Sequence, residues 1–135
     1  MRRFLTAVLL AAAAPLAQAQ EMDPGEWDFV TTITMPGLPR PQQSGYRTCI
    51  TREQAKDPMH WGRGPQQPAD CRVSTLKLGP ATASWEMQCP STGMRGVGKA
   101  RFGRGSMESE TQLGGGASVD MRMKTQGRRL GPCNP

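Results

Sequence analysis

The chain has 135 residues, with 17 Lys+Arg against 11 Asp+Glu, one His and four Cys. Hydrophobic residues make up 36%, beside 16 Gly and 12 Pro, which is enough for one small core and excludes a large or multi-domain fold. The net charge of +6 is scattered rather than clustered, which argues against a nucleic-acid groove.

The first residues, MRRFLTAVLLAAAAPLAQAQ, have the three parts of a secretory signal peptide. Arg2 and Arg3 supply the positive start, Phe4 to Leu16 the apolar stretch, and AQA at 17–19 the small residues before the cut. Residues 1–19 are read as the leader and 20–135 as a single disulfide-bonded, β-rich domain of 116 residues. The apolar stretch is shorter than the roughly 20 residues of a spanning helix, and no later segment approaches that length. The expected location is the periplasm, with no transmembrane segment in the mature chain.

GEWDFVTTITM (25–35) alternates: Trp27, Phe29, Thr31, Ile33 and Met35 share one side, while Glu26, Asp28, Thr32 and Thr34 share the other. That is a strand with one buried face. Three prolines in MPGLPRPQQSG (35–45) forbid helix and central strand. A short strand is expected over Tyr46–Ile50. In TREQAKDP, Thr51 and Gln54 have the spacing of a capping box and Pro58 ends the segment, which predicts a short helix over 52–57. A Gly/Pro loop follows to Asp70.

CRVSTLKLGPATASWEMQC (71–89) folds about Pro80 into a hairpin. Cys71 then faces Cys89, Val73 faces Met87 and Thr75 faces Trp85 on an apolar side. Arg72 with Gln88 and Ser74 with Glu86 form the polar side. Opposed cysteines in an oxidising compartment make a disulfide, and elimination then pairs Cys49 with Cys133. Four cysteines allow three connectivities, and the hairpin register favours this one.

MRGVGKARF (94–102) and GSMESETQL (105–113) pair around Gly103-Arg104, with Ala100 opposite Met107, Met94 opposite Leu113 and Lys99 opposite Glu108. GGG (114–116) turns the chain into ASVDMRMKT (117–125), with Met107 opposite Met123, Ser109 opposite Met121, Thr111 opposite Val119 and Glu108 opposite Arg122. The fold class is mainly β: a single antiparallel meander of about six strands, a small open barrel or sandwich, with one short helix and two disulfides.

These pieces, in this order, resemble a known family. GEWDFVTTITMPGLP, TCITREQAKDP, the 71–89 hairpin, GMRGVGKARF and MKTQGRRLGPC are similar to the domain-of-unknown-function family 3617, small exported proteins of proteobacteria. The resemblance covers the whole mature chain, and GRRLGPC with the Cys spacing is its most specific part. It implies an extracytoplasmic, disulfide-bonded, mainly β domain and assigns no reaction, cofactor or catalytic residue.

Several constellations are candidate sites. His60 in DPMHWGRGP has no GxSxG serine, and the cysteines are expected to be oxidised, so it reads as a solvated loop residue. Glu108 and Glu110 share a strand face, and Asp57, Asp70 and Asp120 are isolated; a glycosidase-like pair has no clear candidate. The absence of CxxC argues against thiol exchange. The methionines, including Met87, Met94, Met107, Met121 and Met123, are expected on the inner face. They read first as filler for a lean core and second as an adaptable ligand surface. A third reading takes Met107, Met121 and Met123 as soft Cu(I) ligands, with Met59 and His60 as a further pair. Arg95, Lys99 and Arg101 make an outward basic stripe, with Arg128 and Arg129 near the tail. The expectation is an exported, non-enzymatic binding or envelope-associated protein without cofactor, taking a small hydrophobic ligand or an envelope protein. A Met-based copper protein is the alternative, and a hydrolase with an unrecognised site the weaker one.

Overall fold

The computed structural model describes residues 22–57, 70–115 and 118–134, with the side chains of 118 and 119 left aside. The leader at 1–19, the loop with Met59 and His60, and the side chain of Val119 lie outside the described residues.

Seven antiparallel strands form one sheet: β1 (Gly25–Thr34), β2 (Gln42–Ile50), β3 (Arg72–Leu78), β4 (Thr82–Cys89), β5 (Met94–Phe102), β6 (Ser106–Gly115) and β7 (Ser118–Gly131). Helix α1 (Arg52–Ala55) follows β2. The spatial order is β2-β1-β7-β6-β5-β4-β3, so first and last strands are neighbours and β2 and β3 are the two edges. The count is seven rather than about six, one for each segment read as a strand, and among the described residues the sheet stays open.

The segment of three prolines resolves into a turn and then a strand. Met35-Pro36-Gly37-Leu38 closes with the Leu38 amide donating to the Met35 carbonyl at 3.2 Å, and Gly37 sits at φ 90. Proline second and a left-handed residue third make a type II turn, which is why glycine stands there. Once Pro41 is passed, the chain pairs with β1, so β2 begins at Gln42 rather than Tyr46. The helix is shorter than the predicted 52–57, but its start is as expected. The Gln54 amide donates to the Thr51 hydroxyl at 3.2 Å, and the Thr51 amide to the Gln54 side chain at 3.0 Å.

Outside β3 the registers keep the predicted faces and shift the predicted partners, whereas within β3 Thr75 moves from the expected apolar side to the polar one. In the β3–β4 hairpin Val73 faces Met87 and Arg72 faces Gln88, as expected. A bulge between Val73 and Thr75 then slides the rest, so Leu76 faces Trp85 and Thr75 faces Glu86. The bulge keeps Leu76 and Leu78 on the apolar side, which the unbulged register would have turned outward. Between β5 and β6 the turn residues are Arg104-Gly105, with Gly103 donating to the Ser106 carbonyl at 2.7 Å. Phe102 therefore meets Met107, Ala100 meets Ser109 and Lys99 meets Glu110. Between β6 and β7 the slide is larger: Met107 meets Gly127, Glu108 meets Gln126, Ser109 meets Thr125, Thr111 meets Met123, and Leu113 meets Met121. Both slides are by even numbers of residues, so no side chain changes face.

Both expected disulfides are formed. Cys71–Cys89 staples the open end of the β3–β4 hairpin at a Cα separation of 4.0 Å. Cys49–Cys133 carries the tail after β7 past β1 to the edge strand β2, at 5.5 Å and 84 residues apart in sequence. In the chain-entropy model the short loop contributes about 3 kcal/mol and the long one about 4.5 kcal/mol. Bridges of this kind belong to chains matured in an oxidising compartment.

Candidate functional site: the apolar face and the cationic face

The strand registers divide the side chains cleanly. One face carries Trp27, Phe29 and Ile33 of β1, Met121 and Met123 of β7, Met107 and Leu113 of β6, Ala100 and Phe102 of β5, and Trp85 and Met87 of β4. At one end of it Trp27, Phe29, Ile50, Met107, Met22 and Ala55 pack into a cluster with Phe102 against it, and Trp27 has no exposed surface at all. Trp27 donates its indole N–H to the Asp23 carbonyl at 3.0 Å, so its one polar atom is satisfied. The Phe29 ring stacks on Trp27 at 5.9 Å and on Tyr46 at 5.2 Å.

Towards the other end the apolar surface continues but is less covered. Trp85, Ile33, Leu113, Met121 and Met123 are half-buried, while Val73 and Leu76 on β3 are exposed. Glycines form the floor here. A Cβ at Gly98 would run into the Trp85 indole, and one at Gly96 into Leu113 and Met87. The rings and chains therefore lie flat on bare backbone, a cross-strand device that brings aromatic surface close to the sheet. The same device occurs at the closed end, where Phe29 covers Gly127.

Met87, Met94, Met107, Met121 and Met123 sit on this face, as expected, but they do not converge. Met107 belongs to the closed cluster, whereas Met123 is four residues along β7 from Met107's partner Gly127. At 3.3–3.4 Å per residue that is about 13 Å, so the pairing behind a Met107–Met121–Met123 copper site is not formed. Among the described residues no three His, Cys, Asp or Glu side chains are grouped to hold a metal ion.

The opposite face is charged. Arg95, Lys99 and Arg101 point outward with Val97 between them, and Val97 is half exposed. Lys99 pairs with Glu110 at 3.6 Å rather than with Glu108, and Arg122 reaches the other oxygen of Glu110, also at 3.6 Å. Arg101 stands opposite Glu108. A concavity of about 550 Å³ lies on this face, with Lys77, Lys99, Arg101 and Lys124 around Glu108 and Glu110. A second, of about 670 Å³, lies near Thr34, Gln112, Asp120 and Arg122. Lys77 and Lys124 were missed by the linear reading because they reach this groove only through the order of the strands.

Asp70 and Arg129 have structural partners. The Asp70 carboxylate accepts from the Ser91 amide at 2.6 Å and the Ser91 hydroxyl at 2.8 Å, beside the Cys71–Cys89 bridge. Those hydrogen bonds hold its pKa below the usual carboxylate value, the opposite of what a general acid needs. Arg128 stays exposed, but Arg129 turns in beside Gly25 and donates its Nε–H to the Pro24 carbonyl at 2.9 Å. Burial raises the pKa of Tyr46 above its ordinary 10.0.

Residues 22–133 match the model of a family described as a protein of unknown function, DUF3617. No curated protein and no solved structure matches the chain.

Proposed function

Because the chain belongs to the DUF3617 family, whose description assigns no activity, we propose a function from the face of the sheet itself: an exported, non-enzymatic binding protein of the periplasm. Its binding surface is the less covered end of the apolar face, which carries Leu76 and Trp85 on β3 and β4 and Met121, Met123 and Ile33 on β7 and β1. The observation that carries this reading is the contrast in burial along one continuous apolar face. Its closed end is saturated by Met22, Ile50 and the α1 residue Ala55, and its other end leaves large apolar side chains half-buried or exposed. Flexible thioethers around a tryptophan suit an apolar ligand or an apolar segment of an envelope protein. The disulfides support an oxidising compartment, and no helix among the described residues is long and apolar enough to cross a membrane.

The test is native intact-mass spectrometry of protein exported to a bacterial periplasm. The expected spectrum is a chain starting at Gln20, lighter by four hydrogens, carrying a lipid-sized adduct that Leu76→Glu removes. A mature chain without adduct that also fails to take up an apolar dye would sink the apolar-ligand reading. A copper-sized adduct would replace it with a metal-binding one.

A further inference from the structure

The two edges of the sheet are built differently. β3 has the features that keep an edge from pairing: a bulge at Ser74, Arg72 and Lys77 along seven residues, and a disulfide at its start. β2 has fewer of them along its nine residues: no bulge, one charge at Arg47, and a disulfide only at Cys49, the last residue but one. Gln42–Ile50 pairs with β1 without a register break, contains no proline or lysine, and is exposed at every residue but Ile50. A long, regular, nearly uncharged edge is a template for another strand.

We propose that this edge is a self-association surface, and that its partner is β2 of a second copy, antiparallel about a two-fold axis at Tyr46. Strand chemistry selects that register. With Tyr46 on the axis, Gln42 meets Ile50, Gln43 meets Cys49, Ser44 meets Thr48 and Gly45 meets Arg47, so the ladder uses all nine residues. The strand's single charge, Arg47, faces a glycine. Moving the axis to Arg47 opposes two guanidiniums, and moving it to Gly45 shortens the ladder by two residues. Placing the axis between residues would set the apolar face of one copy beside the charged face of the other, because directly opposed residues point to the same side. The chosen register keeps both apolar faces on one side of a fourteen-stranded sheet. It also runs the aromatic row Trp27–Phe29–Tyr46 into Tyr46 of the second copy. An edge-to-edge contact buries less than a standard interface, so the dimer is concentration-dependent rather than obligate.

Sedimentation of the oxidised chain over a wide concentration range tests this, together with cross-links that read the register. The expected result is a reversible monomer–dimer equilibrium that Tyr46→Lys weakens by at least ~10-fold, since it opposes two ammonium groups on the axis. Leu78→Lys on the other edge leaves the equilibrium unchanged. Tyr46→Cys cross-links to itself. Ser44→Cys and Thr48→Cys do so only when mixed, and because both leave the Phe29–Tyr46 stack intact they carry the test even where Tyr46 variants fail to fold. A chain that stays monomeric throughout overturns the proposal. So does a dimer lost on Leu78→Lys, or Ser44→Cys cross-linking to itself. None of these outcomes bears on ligand uptake by the apolar face, so the two readings stand or fall separately.

Discussion

Two tryptophans occupy the same face of one sheet and do different work. Trp27 is wholly buried, with its N–H bonded to Asp23 and Phe29 stacked beside it. Trp85 lies flat on Gly98, half-buried, opposite Leu76 on β3 and two residues from Met87 on its own strand. The difference comes from what covers each ring. Over Trp27 the chain closes twice, through Met22 before β1 and Ile50 with Ala55 after β2. Trp85 sits one strand from the β3 edge, and its outer neighbour Leu76 is itself exposed. A face of this kind can be both a core and a binding surface, because stability is concentrated at one end.

The largest effect that would break this comparison is truncation of the two rings. Trp27→Ala should cost about 3–5 kcal/mol in urea unfolding, the range for removing a fully buried aromatic side chain. Trp85→Ala should cost about 1–2 kcal/mol, since much less apolar surface leaves a buried state. Equal costs would mean that the Trp85 end is as closed as the other.

Glycine substitutions sharpen the same point at smaller scale. A Cβ at Gly127 strikes the Phe29 ring, which is held inside the closed cluster, and a Cβ at Gly98 strikes the Trp85 ring, which has room to lift. Gly127→Ala should therefore cost about 1–3 kcal/mol as an overpacked core, and Gly98→Ala less, with a shift in Trp85 emission. A costlier Gly98→Ala would show the Trp85 ring to be rigidly held.

The smallest effect concerns Tyr46, at the border between cluster and edge. It is the chain's single tyrosine, so tyrosinate absorbance reports it alone. Burial disfavours the phenolate, so its midpoint in the folded chain should lie above 10.0 and return to that value on unfolding. A raised folded pKa contributes stability that is complete below the unfolded value and is lost as pH rises through the folded one. Unfolding curves should accordingly weaken only on the alkaline side of that window. An unshifted midpoint would mean that the stack on Phe29 opens in solution.

Much of this was legible in the residues. Alternation located six of the strands, Thr51 and Gln54 marked the helix start, and the facing of Cys71 and Cys89 led to both disulfides. What slipped was register. MRGVGKARF against GSMESETQL reads equally well after a slide of two residues, because apolar and polar positions recur with that period. The face of each strand methionine was therefore right, Met87 also met its expected partner Val73, but the partners of Met107, Met121 and Met123 were wrong, and the proposed Met107–Met123 pair dissolved. The bulge at Ser74 left no local trace, since it sets Leu76 against Trp85 and Leu78 against Ala83, pairings that the residues of β3 do not specify by themselves. Lys77 and Lys124 joined Lys99 around one groove only when four strand pairings were in place.

Sequence alone determined the class of fold, the faces of the strands other than β3 and the hairpin disulfide, because each follows from chemistry within one strand or one hairpin, and the second disulfide followed by elimination. The tertiary structure decided that β1 pairs with β7, that the sheet stays open with a bulged edge at β3 and a regular one at β2, and which end of its apolar face is covered. Those outcomes depend on contacts between residues about a hundred positions apart, such as Trp27 opposite Arg129, where no local pattern reaches.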